Sequence, residues 1–276
     1  MANFLFHDIS YAQGSYNMDS DPNPVIEMKM SGFYYGSKQP YLDVQANHNY
    51  GNAIRTGKVP LLYHFAGGAD PVAEANYFIQ VACSPLADGD IYELDYELNA
   101  SMGPPADPDG WCRTFADRVK ELTGQYPIFY TYASLFNEHG GFPRTMEVCS
   151  LYIADYAVSP DATVPVNHPY IIQQFTDTPL DTNASFIDLG TLKKYARGYV
   201  APQPPPPAPT PPPAPTPDPP PPAPVPVPPP TPPPLPVPPP PPAPEPGPAP
   251  KPPVVPPSES WLTKIFNWLL RLFGIK

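Results

Sequence analysis

The chain has 276 residues, 52 of them proline, and a formal net charge of −11. Nearly all of the proline excess falls after Pro202, so one average describes two different objects. Beyond position 200, Lys251, Lys264, Arg271 and Lys276 stand against Asp218, Glu245 and Glu259, which leaves −12 on the first 200 residues. Such acidity argues against nucleic acid as a partner, because phosphate binding is built on Lys and Arg, and it opposes unaided adhesion to a polyanionic wall. Cys83, Cys112 and Cys149 are odd in number and widely spaced, so buried thiols are expected rather than a disulfide framework or a zinc site.

Residues 1–200 are rich in Tyr, Phe and aliphatic side chains and are long enough for a single-domain core. The first residues, Met1 to Asp8, lack a basic n-region and meet a charge too early for a signal peptide, which predicts synthesis in a cytoplasm. Residues 4–10 read as a short buried strand with Asp8 near its C-terminal end and Gln13-Gly14 in the loop beyond it. Barrel enzymes keep their chemistry at that end of their strands. Residues 25–30 form a second strand on which Lys29 is a candidate partner for inward acids. A helix is expected over 41–56, stopped by Gly57. Residues 60–66 give a third strand, Gly67-Gly68 a turn, and 71–83 a helix with Pro71 near its first position.

The acidic strand, 91–99, comes next. Tyr92, Leu94, Tyr96 and Leu98 share one face, and Glu93, Asp95 and Glu97 share the other. A solvated strand would give the same alternation. If both faces are covered, adjacent carboxyls in a confined site cannot all ionise freely, and one becomes a proton donor near neutral pH. A glycosidase needs that chemistry. Residues 108–122 are helical, with Trp111, Phe115, Val119 and Leu122 as a core stripe ended by Gly124. Strands follow at 126–131, 151–156, 170–176 and 186–189, the last three separated by loops. Parallel βα units thus come first and a helix-poor section closes the domain.

His64 lies on an apolar strand and reads as a hydrogen-bonded structural histidine. No two of His7, His48, His139 and His168 are spaced as a metal pair, so no metal and no other cofactor is expected. Asp155 ends a strand and is read equally as an inward acid or a turn former. Tyr63 and Tyr130 offer ring faces and hydroxyls to a sugar, and core packing explains them as well.

Taken together, Asp8-Ile9-Ser10, Gln13-Gly14, Tyr63-His64-Phe65-Ala66, Leu94-Asp95-Tyr96-Glu97, Pro127-Ile128-Phe129-Tyr130-Thr131, Ile153-Ala154-Asp155-Tyr156 and Ile187-Asp188 resemble, in order and spacing, the Chalaropsis-type lysozymes. These are the family-25 glycoside hydrolases, common as phage endolysins. The resemblance implies an α/β fold, a flattened TIM-like barrel of five βα units closed by three further strands. It implies peptidoglycan as substrate, cut at the β-1,4 bond between N-acetylmuramic acid and N-acetylglucosamine. Glu97 would be the general acid and base, Asp95 its charge partner, and Asp8 and Asp188 the rest of an acidic floor. Tyr63, Tyr130, Lys29 and Gln13 are the candidate substrate contacts. The family's Lys-x-Thr-Glu-Gly is here Lys29-Met30-Ser31-Gly32-Phe33, without the Glu, and tryptophans expected near Ala12, Tyr152 and Gln173 are absent. Those departures leave a catalytically degenerate cell-wall-binding protein as the alternative. Glu93 is an acid one step deeper in the barrel, with Lys29 as its only evident partner.

Residues 201–257 are about two thirds proline and are expected to form a disordered polyproline linker. At about 3.1 Å per residue it would reach up to roughly 170 Å. Residues 258–276 predict an amphipathic helix capped by Ser258. Thr263, Lys264, Asn267 and Arg271 fall in one arc and Trp261, Leu262, Ile265, Phe266, Trp268 and Leu269 lie around the rest. The expected contact is with a membrane or lipid-rich envelope through Trp261, Lys264, Trp268 and Arg271, with self-association or docking on the barrel as the other uses. The domain order is then a 1–200 hydrolase barrel, a 201–257 linker and a 258–276 envelope-seeking helix. A phage endolysin kept in the host bacterial cytoplasm until it is released to the wall has this plan.

Overall fold

The computed structural model describes residues 1–199. The predicted linker and amphipathic helix lie outside the described residues. Strands β1 (Phe4–Ile9), β2 (Val25–Phe33), β3 (Pro40–Leu42), β4 (Val59–Phe65), β5 (Ile91–Asp95), β6 (Ile128–Tyr132), β7 (Leu151–Ala154), β8 (Tyr170–Thr176) and β9 (Thr182–Ser185) make one sheet. Its order is β1-β9-β8-β7-β6-β5-β4-β2-β3, and β1 also pairs with β2. Eight strands therefore close into a barrel, and β3 is a hairpin arm on β2. Neighbours are parallel from β1 through β2 and β4 to β8, and β9 is antiparallel to both of its partners.

Helices α1 (Ala46–Arg55), α2 (Pro71–Asn76, continued by a wider turn through Tyr77–Ala82), α3 (Pro108–Thr123) and the pair α4 (Ala133–Glu138) and α5 (Pro143–Met146) cover successive crossovers. The connection from β1 to β2 carries only a 3-10 turn, Tyr11–Gln13, so helices cover four crossovers where five βα units were expected. Local chemistry explains the helix ends. Asp70 accepts from the Ala73 amide and Asp107 from the Gly110 amide, each followed by a proline in the first turn, and Gly124 ends α3 at φ +83°. Tyr41, expected to begin the first helix, lies instead on β3.

Alternation along the strands separates two cores. Ile26, Met28, Leu62, Tyr92, Leu94 and Phe129 point outward and pack with Phe78, Phe115 and Val119 from the helices. Phe6, Val25, Leu61, Ile91, Ile128 and Ile172 point inward and plug the barrel at the N-terminal ends of its strands, where Leu192 and Ala196 join them. That plug leaves the C-terminal end of the barrel for polar groups, the end at which barrel enzymes carry their chemistry. The three cysteines are free and buried.

His64 has the structural role expected of it. Its Nε2 lies 3.1 Å from Glu74 and its Nδ1 2.8 Å from Ser31 Oγ, and all three residues are fully buried. Burial holds the imidazole below its ordinary pKa against the pull of Glu74, so it is neutral at pH 7, with Nε2 donating to Glu74 and Nδ1 accepting from Ser31. This Ser-His-Glu string has no access for a substrate. Its work is to hold the β4–α2 turn, because Glu74 also accepts from the Gly67 and Ala69 amides. Glu74→Ala strands three donors in the core and is expected to cost about 3–5 kcal/mol. Urea unfolding of the variant against the parent measures it.

Candidate active site

A narrow cleft opens inside the barrel at the C-terminal ends of the strands. Asp8 of β1, Glu27 and Lys29 of β2, Tyr63 and Phe65 of β4, and Glu93 and Asp95 of β5 line it. Glu97 follows β5 directly, and Asp181 comes from the loop between β8 and β9. The covered reading of the acidic strand is the observed one: Glu93, Asp95 and Glu97 point into the barrel while Tyr92, Leu94, Tyr96 and Leu98 are buried outside it. Glu27, Glu93 and Asp95 are buried, whereas Asp8, Lys29, Glu97 and Asp181 reach the opening and are half-buried.

The cleft floor has a volume of about 60 Å³, room for a few waters and not for a sugar ring. Beside it lies a hollow of about 520 Å³, lined by Asn99, Met102, Tyr132, Ser134, Asp155 and Asp177, and sharing Glu97, Tyr130 and Tyr156 with the cleft. That is the size of a small-molecule pocket. Glu97 is thus where the acidic floor meets space for a substrate.

Electrostatics sets the protons. Burial pushes Glu97 up to about 7; Lys29 and a hydrogen bond with Tyr130 oppose the rise, and Asp181 adds to it. Asp95 is raised well above the usual carboxylate range by burial, then by Glu97 and Asp8, against Lys29. Asp8 is raised by burial, then by Glu27 and Asp181, and is relieved by Lys29 and a hydrogen bond with Tyr63. Lys29 is the only cation among these lining residues. Burial works against its ammonium, but Tyr41, Asp95 and Asp43 outweigh this and hold it charged. Its Nζ sits 4.3 Å from the Phe65 ring centre. Glu93, for which Lys29 was the expected partner, faces Glu27 instead.

Asp188 is not part of this floor. It is exposed, caps helix α6 (Leu189–Leu192) and accepts from the Thr191 amide and hydroxyl, which hold its carboxyl below the usual range. The eighth barrel strand is Thr182–Ser185, upstream of the expected 186–189, and the fourth acid is Asp181 at its entrance. The Asp8 amide donates to the Asp181 carbonyl at 3.1 Å, which ties that loop to β1 beside the site.

Tyr63 and Tyr130 line the cleft, but each is only 6% exposed, so their rings are packed and their hydroxyls do the contacting. The Tyr130 hydroxyl donates to Gln174 Oε1 at 2.9 Å, and the Tyr156 hydroxyl joins it at 2.6 Å. The rings open to a ligand are Tyr11, 62% exposed, and Tyr156, 51% exposed, which sequence reading left unassigned. Both stand next to motif acids, Tyr11 three residues after Asp8 and Tyr156 directly after Asp155. Gln13 lines the opening while its Oε1 accepts from the Ser10 amide and hydroxyl. Asp155 lines the hollow and is also a turn former, accepting from the Ala157 amide at 3.0 Å. Among the described residues no group of three or more His, Cys, Asp or Glu is arranged to hold a metal ion.

Residues 7–183 match the model of glycosyl hydrolases family 25. The N,O-diacetylmuramidase of Chalaropsis sp is 29% identical over 150 residues, 49% of this chain and 71% of that protein. The fold is shared with the bacterial lysozyme from Streptomyces coelicolor (TM-score 0.61, 24% identity, 70% of this chain and 96% of that one). It is shared also with the catalytic domain of an endolysin from bacteriophage P40 of Listeria monocytogenes (TM-score 0.56, 21% identity, 71% and 97%).

Proposed function

The chain belongs to glycosyl hydrolase family 25 and is a glycoside hydrolase of the lysozyme type, and on that premise we propose how it works and where. Its substrate is peptidoglycan, cut at the β-1,4 bond between N-acetylmuramic acid and N-acetylglucosamine. The supporting observation is the position of Glu97, a carboxyl that holds its proton to about pH 7 at the one junction between the acidic cleft and the larger hollow. Glu97 donates that proton to the glycosidic oxygen of a sugar chain lying in the hollow, and takes one back from water in the second half of the reaction. Asp8, Asp95 and Asp181 beneath and beside it supply negative potential for the cationic sugar of the transition state. Lys29 limits how far those acids repel one another. Tyr11 and Tyr156 offer ring faces to sugar rings, replacing stacking surface that the absent tryptophans would give.

The role we propose for the protein is host-cell lysis, as an endolysin that meets the wall from the cytoplasmic side. The sequence beyond the barrel supports it: a −12 domain is joined to a segment with Lys264, Arg271 and Lys276 and two tryptophans, which is suited to anionic lipid. One experiment tests both parts. The full chain and a chain ending at residue 257 are assayed for reducing ends released from soluble glycan fragments and for lysis of whole cells. Equal release with lysis reduced in the shorter chain is expected. A full chain that binds walls and releases no reducing ends is a binding protein, and equal lysis by both removes the envelope role of the tail.

A further inference from the structure

Below Asp8 and Asp95 the mechanism leaves two buried acids unused. Glu27 is 2% exposed and Glu93 1% exposed, and both line the same cleft. Glu27 is well supplied with donors: its Oε2 accepts from the Tyr152 hydroxyl of β7 at 2.9 Å and from the Asn183 side-chain amide of β9 at 3.0 Å. Neither carboxyl oxygen of Glu93 has a donor from any other kind of group, and both are sealed from solvent. The carboxyl that Glu93 meets is Glu27, and two carboxyls bond each other only when one carries a proton. A buried carboxylate without donors is far costlier than a buried neutral acid. The donors from Tyr152 and Asn183 therefore place the charge on Glu27, and the proton belongs to Glu93.

Every element around the pair contributes to its field. Asp8 on β1, Lys29 on β2, Tyr63 on β4 and Asp95 on β5 stand above it, and Asp8 is directly opposite Glu27 in the β1–β2 register. Tyr130 on β6 and Tyr152 on β7 face it across the barrel, and Glu97 and Asp181 lie farther out at the opening. On the plug side Phe6, Val25, Leu61 and Ile91 are apolar, so nothing there offsets a charge on Glu27.

We propose that Glu27 and Glu93 share one proton and fix a single negative charge under Asp8 and Asp95, and that this charge sets the acidic limit of hydrolysis. Neither residue touches substrate; both are positioning residues, acting through the acids above. The proposal rests on the reading of this cleft as the glycosidase site. Its physics is simple: a charge held below disfavours a second and third charge above, so the upper acids keep their protons to higher pH and the negative potential they supply is lost earlier as the pH falls. Burial raises both acids, Glu93 and Asp95 raise Glu27 further, and Asp95 and Asp8 raise Glu93 while its bond with Glu27 pulls it back, in keeping with a proton retained between them.

The test uses full-length variants that are nearly isosteric. Glu27→Gln still accepts from Tyr152 and Asn183 but carries no charge. The acidic limb of kcat/KM on peptidoglycan is expected to move down by about one pH unit, the scale for a unit charge roughly 7 Å away at an intermediate dielectric, with KM unchanged. Tyr152→Phe removes one donor to Glu27 and should move the limb the same way by less, which keeps the test open if Glu27→Gln folds poorly. Glu93→Gln replaces a neutral donor with a neutral donor, so the limb should stay. The same variant should lower by about one the number of protons taken up on folding, read as a tenfold change per pH unit in the slope of the unfolding constant between pH 5 and 8. That second readout does not depend on catalysis, so an inactive parent would overturn the glycosidase reading while the proton count still decides the pair. An unmoved limb in Glu27→Gln and Tyr152→Phe, or an unchanged proton count in Glu93→Gln, overturns the proposal.

Discussion

Glu97→Gln is expected to lower release of reducing ends from purified peptidoglycan by about two to four orders of magnitude, the range for removing a general acid. The amide fills the same space and can still bond Tyr130, so the loss is chemical and binding to walls should persist. Stability separates the two effects. A carboxyl raised in the folded state stabilises the protein fully below its unfolded value of about 4.3, and that contribution is lost as pH rises through the folded value of about 7. Glutamine has no such loss. The variant should therefore melt no lower than the parent at pH 8, and thermal scans at pH 5 and pH 8 would show a smaller pH dependence. A variant that cuts as well as the parent removes Glu97 from the chemistry. One that is inactive because it is unfolded would show it in the same scans.

Much of the barrel was legible because its strands announce themselves in two ways. β4 and β6 are continuous runs rich in aliphatic and aromatic residues, and on the acidic strand the alternation that sends Leu94 and Tyr96 to the helices sends Asp95 and Glu97 inward. The closing section was less legible for a physical reason. β9 is Thr182-Asn183-Ala184-Ser185, a strand with little hydrophobic signature, whose buried Asn183 amide donates across the barrel to Glu27 and whose Ser185 hydroxyl donates to the Ile187 carbonyl at 2.7 Å. Hydropathy favours Phe186-Ile187-Asp188-Leu189 instead, where the chain is already turning into a capped helix. Helices α4 and α5 are short and broken by Gly140, Gly141 and Pro143, so no periodicity accumulates. The Glu27–Glu93 pair was beyond reach for another reason, since the two residues lie on different strands and meet only when the barrel closes.

The displaced fourth acid gives the second large effect. Asp181→Asn is expected to reduce kcat/KM by about two orders of magnitude, the scale for losing one preorganised electrostatic group at a transition state. Two observations carry this: the backbone bond from Asp8 to Asp181 anchors the loop at the site, and the Asp181 carboxylate raises the proton affinity of both Asp8 and Glu97. Removing a like charge lets Glu97 ionise at lower pH, so the alkaline limb should move down as the maximum falls. Asp188→Asn is the matched control. Asparagine caps helices about as well as aspartate, and the Thr191 amide it holds is exposed and far from the cleft lining, so both activity and melting temperature should stay within error of the parent. Measuring both variants over pH 4 to 9 on one peptidoglycan preparation decides between the two acids. Loss of activity in Asp188→Asn with none in Asp181→Asn would mean that the closing strand is 186–189 after all, and every inward position on that side of the barrel would have to be reassigned.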